Sequence, residues 1–341
     1  MRDEDRATAD LYRMADLVTP MAIRVAATLR IADHIAAGVR TSVELARDAR
    51  VDADALERLM RHLASMGVLE RHGARGYSLA TTGEALRDDH PSGARPALDI
   101  EAAVGRAELA FADLLHSVRT GEPAFPVRFG RSFWDDVSAD PERAASYASQ
   151  MGSDVGTWAP SIVGAYDWGA LGNVVDVGGG DGTLLISLLR AFPGLRGTVV
   201  DLPKPAVAAG SALAAAGHAD RSEAVAGSFF DPLPAGAGGY MLCAILHDWN
   251  DEAARLILGR CAEAAGPDGS VFVIEKVGPD GESVRTAMDL RVLVYFGGRE
   301  RGVGEVSALA ADVGLRVADV HPAGDLSIVE LSAAGSLAPP R

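Results

Sequence analysis

A β-branched run, Val174 to Val177, passes straight into Gly178, Gly179, Gly180 and Gly182, and a helical stretch, Leu184 to Leu189, follows at once. Strand, glycine turn and helix in that order set bare backbone amides at a helix N-terminus, where a nucleotide-like ligand can approach closely. Around this turn the chain alternates short β-branched runs with helical ones: Thr198 to Val200, Ala224 to Ala226, Tyr240 to Leu246 and Val271 to Ile274. Alternation of this kind specifies an α/β fold, a parallel sheet with helices on both faces. Leu315 to Val320 and Leu326 to Leu331 have no long helix between them, so they are expected as an antiparallel hairpin on the sheet edge.

Two later segments support a ligand at the turn. Asp201 stands at the end of the second expected strand, where a carboxylate can accept from both hydroxyls of an adenosine ribose. At the end of the third strand, Phe229 offers an apolar face for an adenine ring and Ser228 a hydroxyl. A ligand-free turn and a dinucleotide site are the rival readings. Thr183 stands where the dinucleotide fingerprint wants glycine, and Asp181 is close to where a pyrophosphate would sit, so both disfavour NAD.

Before residue 96 the texture is helical. Ala22, Val25, Ala26, Leu29, Ile31 and Ile35 recur at helical spacing until Gly38, Thr41 with Glu44 has capping-box spacing, and Asp52 can cap a helix lined by Leu56, Leu59, Met60, Leu63 and Met66. Val68 to Arg71 and Tyr77 to Ala80 can then pair, giving a winged-helix arrangement. The expected organisation is a winged-helix dimerisation domain over 1–95, connecting helices over 96–165, a cofactor-binding domain over 166–332 and a loose tail over 333–341.

A net charge of −15 repels a phosphate backbone, so the winged helix is read as a homodimer surface and nucleic acid is not an expected partner. No long apolar span and no secretory leader are seen, so no membrane partner is expected. The two cysteines, Cys243 and Cys261, cannot make a disulfide framework, which makes a cytoplasmic setting the default.

The glycine turn, the DLP of Asp201 to Pro203, GSFFDPLP at Gly227 to Pro234, LHDWND at Leu246 to Asp251 and YFGGRER at Tyr295 to Arg301 together resemble the S-adenosylmethionine-dependent O-methyltransferases of the plant caffeate and bacterial polyketide-tailoring type. In texture the chain is most similar to those that methylate naphthoate units in enediyne biosynthesis. The resemblance implies a Rossmann-like class I methyltransferase sheet with an N-terminal α-helical winged-helix dimerisation domain. It implies S-adenosylmethionine held by Gly178, Asp201, Ser228 and Phe229, and His247 as base flanked by Glu275 and Glu300. Two positions depart from the family: Cys243, counted with the cofactor set, replaces a common lysine, and Ser228 replaces a common aspartate.

The chemistry suits these residue types. A phenol of pKa about 10 is ionised roughly one part in a thousand at pH 7, a deficit of about 4 kcal/mol that a histidine base relieves during transfer. A neighbouring carboxylate fixes the imidazole tautomer, the role given to Glu275 and Glu300. His247 is placed at the close of the fourth strand, and Asp248, Asn250 or Asp251 can cap the helix that follows. An aromatic acceptor is expected between the connecting helices and a helix from Val284 to Phe296, against Met151, Met288, Arg291 and Tyr295, with Tyr12 reaching in from a second copy. The expected function is O-methylation of a phenol on a naphthoate or anthraquinone unit with no metal. The alternatives are a non-methylating tailoring step by a cofactor-binding relative and a winged-helix metabolite-sensing regulator.

Overall fold

The structure, a computed structural model, describes residues 3–74 and 76–335, so the tail expected over 333–341 lies outside the described residues from 336 onward. The chain forms two compact units, Met1–Leu109 with Val137–Gln150 and Ala110–Asp136 with Met151–Arg341. Of the segment 96–165, residues 96–109 and 137–150 fall in the first unit and residues 110–136 and 151–165 in the second. The helix Pro141–Ala165 belongs to the first unit up to Gln150 and to the second beyond it.

In the first unit the apolar stripe folds as two helices, Val18–Thr28 and Ile31–Ala36, parted where Arg30 takes a left-handed backbone at φ 52°. Thr41 and Glu44 form the reciprocal cap of the helix Ser42–Ala49, and Asp52 caps Ala53–Ser65 by accepting from the Ala55 amide at 2.8 Å. Leu56, Met60 and Leu63 are buried as the spacing requires, but Met66 is 51 % exposed because the helix ends just before it and Gly67 turns the chain away. β1 (Leu69–His72) and β2 (Gly76–Leu79) pair antiparallel, completing the wing. No helix among the described residues is long and apolar enough to cross a membrane.

The second unit holds a seven-stranded sheet. Its strands are β3 (Asn173–Val177), β4 (Arg196–Asp201), β5 (Ser222–Ala226), β6 (Gly239–Cys243), β7 (Ser270–Glu275), β8 (Leu315–Ala323) and β9 (Leu326–Ala333). They lie in the order β5-β4-β3-β6-β7-β9-β8, the first five parallel and β9 antiparallel to both its neighbours. Successive strand residues point to opposite faces, and each face has its own core. Val175, Tyr240, Val271 and Val273 pack with Ile257 and Leu258, while Val174, Met241, Phe272 and Ile274 pack with Leu185, Leu188 and Ile162. The order of connection reverses between β3 and β6, which opens a crevice at their carboxyl ends, the place where ligands of open α/β sheets bind.

One strand stops earlier than its sequence suggests. The run Tyr240 to Leu246 reads as continuous β, yet β6 ends at Cys243 and Ala244 turns the chain at φ 54°, its amide still donating to the Ile274 carbonyl at 3.0 Å. A left-handed backbone costs an alanine about 1–2 kcal/mol. His247 therefore stands beyond β6, on a 3₁₀ turn formed by Leu246–Asp248.

Candidate active site

The glycine turn follows β3. Gly178 has φ 73°, and a Cβ there would meet the Ile245 Cδ1 at 2.6 Å, so glycine lets this turn rest against the segment that leads to His247. The helix Thr183–Ala191 starts immediately afterwards, with the Asp181 carboxylate accepting from the Thr183 amide at 3.0 Å and from its hydroxyl at 2.6 Å. Asp201, the last residue of β4, accepts from the Gly180 amide at 2.8 Å and, with its other oxygen, from the Leu202 amide at 2.6 Å. Burial raises its pKa, and the two amides partly offset that.

Beneath the turn lies a carboxylate that sequence reasoning passed over. Asp176, in β3, is buried and its Oδ2 has no hydrogen-bond partner. Burial first, and then the charges of Asp201 and Asp181, push it up to about 7. Three acids around one glycine turn repel a pyrophosphate and suit a ligand that carries positive charge beside its nucleoside. That donor set fits S-adenosylmethionine, with its sulfonium and ammonium groups, and does not fit NAD.

The loop after β5, where the sequence leads one to expect an adenine, is aromatic. The Phe229 ring meets Phe230 at 5.0 Å and Trp249 at 5.7 Å, both edge-on, and lies against Gly178. Ser228 accepts from the Phe230 amide at 3.2 Å, so its hydroxyl shapes its own loop. Cys243 closes β6 half-buried, and desolvation together with Asp176 and Glu275 keeps its thiol neutral, well above the ordinary cysteine range. In the sequence Trp249 carries no signal beyond its place in LHDWND.

Around His247 the expected partners are rearranged. Glu275, the last residue of β7, is buried and accepts from the His247 backbone amide at 3.0 Å, so it holds the turn and not the ring. Burial pushes it up to about 7, with Arg301 acting in the opposite direction. Glu300 binds Arg285 (Nη2 at 3.0 Å) and the Ser283 hydroxyl, because a buried carboxylate takes the cation within reach. The carboxylate at the imidazole is Asp248, whose Oδ1 lies 3.4 Å from Nε2 and which burial pushes up to about 7. Asp248 is not a helix cap: Asn250 takes that task for Asp251–Ala265, accepting from the Ala253 amide at 3.0 Å.

Among the acceptor residues, Tyr295 is buried, stacked on Phe133 at 6.3 Å and edge-on to Phe111. Met288 and Arg291 are half-buried on the helix Thr286–Phe296, which starts two residues later than expected, and Met151 is half-buried in the second unit. Tyr12 is 76 % exposed on the helix Asp3–Met14 of the first unit. The sequence reading missed Trp134, which stacks on Phe296 at 5.2 Å and lies nearly parallel to Trp249 at 6.3 Å. These three half-buried rings make a flat apolar wall in the same unit as His247. A cavity of about 350 Å³ is lined by Ser283, Asp289, Leu293, Gly298 and Glu300, and neither these rings nor His247 line it.

Residues 111–316 match the O-methyltransferase domain family, and residues 12–89 match the O-methyltransferase dimerisation domain. The chain belongs to the O-methyltransferase family. This O-methyltransferase is 54 % identical over 323 residues to the 2,7-dihydroxy-5-methyl-1-naphthoate 7-O-methyltransferase of Streptomyces carzinostaticus, covering 95 % of this chain and 97 % of the relative. It is 42 % identical over 342 residues to the aclacinomycin 10-hydroxylase of Streptomyces purpurascens, covering 97 % and 91 %. Among solved structures, an O-methyltransferase of neocarzinostatin biosynthesis in complex with S-adenosyl-L-homocysteine and 1,4-dihydroxy-2-naphthoic acid superposes with a TM-score of 0.92 at 54 % identity, over 95 % of this chain and 98 % of that one. A second complex of that protein, with S-adenosylmethionine and 2-hydroxy-5-methyl naphthoic acid, gives 0.90 over 94 % and 98 %.

The buried acids of this O-methyltransferase make its ligand-free stability depend on pH. Asp176 and Asp248 rise from 3.8, and Glu275 from 4.5, to about 7. A carboxyl whose folded pKa is raised stabilises the fold below its unfolded value, and that contribution is lost as pH climbs through the folded value. Stability from these groups should thus fall between about pH 4 and pH 8. Asp176→Asn, which removes the charge under the turn, should raise the ligand-free melting temperature by roughly 3–6 °C at pH 8.5 and by much less at pH 5. Scanning calorimetry at both values checks this, and an equal shift at the two would show that Asp176 is not protonated in the folded chain.

Proposed function

We propose that this chain transfers a methyl group from S-adenosylmethionine to a phenolic hydroxyl of a hydroxynaphthoate-type aromatic acceptor. The observation that carries the reading is the acid-lined glycine turn pressed, through Gly178 and Ile245, against the segment that bears His247. Asp201 would hold the ribose, Phe229 the adenine, and Gly178 the close approach of the cofactor to the turn. Asp176, buried beneath the turn, would add negative potential that favours a positively charged ligand. When bound, the cofactor supplies the methyl group as an electrophile on sulfur.

The protein's own task is to bind the acceptor and take one proton. The wall of Trp134, Phe296 and Trp249 suits a fused aromatic ring, and the naphthoic acids held by the solved relative are of that class. His247 accepts the phenolic proton. Its Nε2 lies 3.4 Å from Asp248 Oδ1, so Asp248 is the carboxylate placed to steady the imidazolium once formed. Glu275 holds the amide of the same residue, which keeps the turn from rotating away.

Calorimetric titration with S-adenosylmethionine and, separately, with NADH tests the cofactor, and binding of the former alone is expected. Hydroxynaphthoic acids incubated with S-adenosylmethionine should gain one methyl group by mass. A second reading, hydroxylation of an aromatic polyketide, is favoured by the hydroxylase relative at 42 % identity. It predicts products heavier by one oxygen and none by a methyl. The exposed apolar residues Leu11, Tyr12, Met14, Leu17 and Val18 and the dimerisation-domain match support a homodimer. Light scattering should report twice the chain mass, and a monomer at working concentration would overturn that assignment.

A further inference from the structure

We infer that Arg301 is a positioning residue for His247, holding from the carbonyl side the turn that Glu275 holds from the amide side; this rests on His247 being the base. A 3₁₀ turn of three residues has little stability of its own. Its internal bonds are Asp248 amide to Ile245 carbonyl at 3.2 Å and Trp249 amide to Leu246 carbonyl at 3.1 Å. On the amide side Glu275 accepts from His247 at 3.0 Å, and on the carbonyl side the restraints come from one distant segment, Gly298 to Arg301. Arg301 Nη1 donates to the Leu246 carbonyl at 2.8 Å and Nη2 to the Trp249 carbonyl at 2.7 Å, so one guanidinium brackets His247 and Asp248 on both sides. The Arg299 amide donates to the His247 carbonyl itself at 2.9 Å. Gly298 permits the approach, since a Cβ there would lie 2.1 Å from that carbonyl oxygen.

The guanidinium is placed for this task. Its side chain is 1 % exposed, and Nε and Nη2 converge on one Asp251 oxygen at 3.1 and 2.9 Å, which fixes the plane of the fork while the two terminal nitrogens reach the carbonyls. Burying a cation is costly unless its donors are engaged, and four acceptors engage this one, the Arg299 carbonyl lying 3.5 Å from Nη1 beside the two turn carbonyls and Asp251. Arg301 also lowers the pKa of Glu275, so the two holders of the turn are electrostatically linked. A lysine offers a single ammonium and cannot span two carbonyls and a carboxylate in one plane.

The test compares the dimer-competent full chain with Arg301→Met, Arg301→Lys, His247→Gln and the double variant His247→Gln/Arg301→Met, using S-adenosylmethionine and a hydroxynaphthoic acid. Arg301→Met should lower kcat about ten- to a hundredfold, as misplacing a reacting group by an ångström does, while S-adenosylmethionine affinity by calorimetry stays within about threefold. Arg301→Lys should recover part of the loss. Because Arg301 acts through His247, the double variant should be no more than about threefold slower than His247→Gln alone. Multiplying losses in the double variant, or affinity falling in parallel with kcat, would mean a general structural role and overturn the inference. If Arg301→Met does not fold, Asp251→Asn, which loosens the fork and leaves both carbonyl bonds, should show a smaller kcat loss with the same non-additivity, and additive behaviour there overturns it equally. A normal kcat in Arg301→Met beside a slow His247→Gln would sink this inference alone, whereas full activity in His247→Gln would sink the base assignment on which it rests.

Discussion

Replacing His247 by glutamine should lower kcat for a hydroxynaphthoic acid at pH 7 by about 10²–10⁴, the range that a positioned general base contributes, and leave S-adenosylmethionine affinity within a few-fold. The amide fills the space of the imidazole but cannot take a proton. The variant must then wait for acceptor that is already ionised, so its kcat should rise about tenfold per pH unit until the phenol titrates near pH 10. The unmodified enzyme should instead be nearly flat above neutrality, and the two profiles should converge in alkali. Asp248→Asn should lie between them above about pH 7, because the ring keeps its basic nitrogen but loses the carboxyl 3.4 Å from Nε2 that, once ionised, steadies the imidazolium. Steady-state kinetics from pH 6 to pH 10 reads all three. A glutamine variant whose deficit is the same at every pH would show that His247 acts by shape and not as a base.

The parts of this site that were legible in the sequence are those set by local spacing. Gly178 to Gly182 after a β-branched run fixes a strand, a turn and a helix within a few residues, and Asp201 follows from the next strand end. The alternation of runs carries the sheet and its edge hairpin for the same reason: each element's burial is written in its own period. What was not legible depends on residues far apart in the chain. Ala244 breaks an apolar run that otherwise reads as strand to Leu246, and nothing in an alanine announces a left-handed backbone; the close contact of Ile245 with Gly178, 67 positions earlier, is what the break produces. Moving His247 off the strand end onto a turn brought it to Asp248 and sent its backbone to Glu275. Glu300 looked like a second flank for the ring, but Arg285 claims its carboxylate, and an ion pair of that kind has no signature in spacing. Arg301 and Trp134 were hidden likewise, since a guanidinium or an indole shows its partner only once the elements pack.

Asp201→Ala should weaken S-adenosylmethionine binding by roughly 10²–10⁴, with kcat at saturating cofactor much less affected. Two hydrogen bonds from ribose hydroxyls to one carboxylate contribute about 1.5–3 kcal/mol each, as bonds to a charged group do, and about 1.4 kcal/mol is tenfold in Kd. The same carboxylate also braces the turn, through the Gly180 amide at 2.8 Å and the Leu202 amide at 2.6 Å, so lost affinity alone cannot tell contact from support. Ligand chemistry separates the two. For the unmodified enzyme an S-adenosylhomocysteine analogue lacking a ribose hydroxyl should bind at least tenfold more weakly than S-adenosylhomocysteine itself, since the carboxylate loses one partner. In Asp201→Ala the two ligands should bind alike, because the group that distinguishes them is gone. If the variant binds both weakly but still prefers the complete ribose by the original factor, Asp201 only supports the glycine turn and another group reads the sugar. Asp201→Asn sharpens the comparison: the new amide faces either the Gly180 or the Leu202 amide donor to donor, so a variant that disturbs the turn while keeping one acceptor oxygen should lose affinity for both ligands yet retain part of the discrimination.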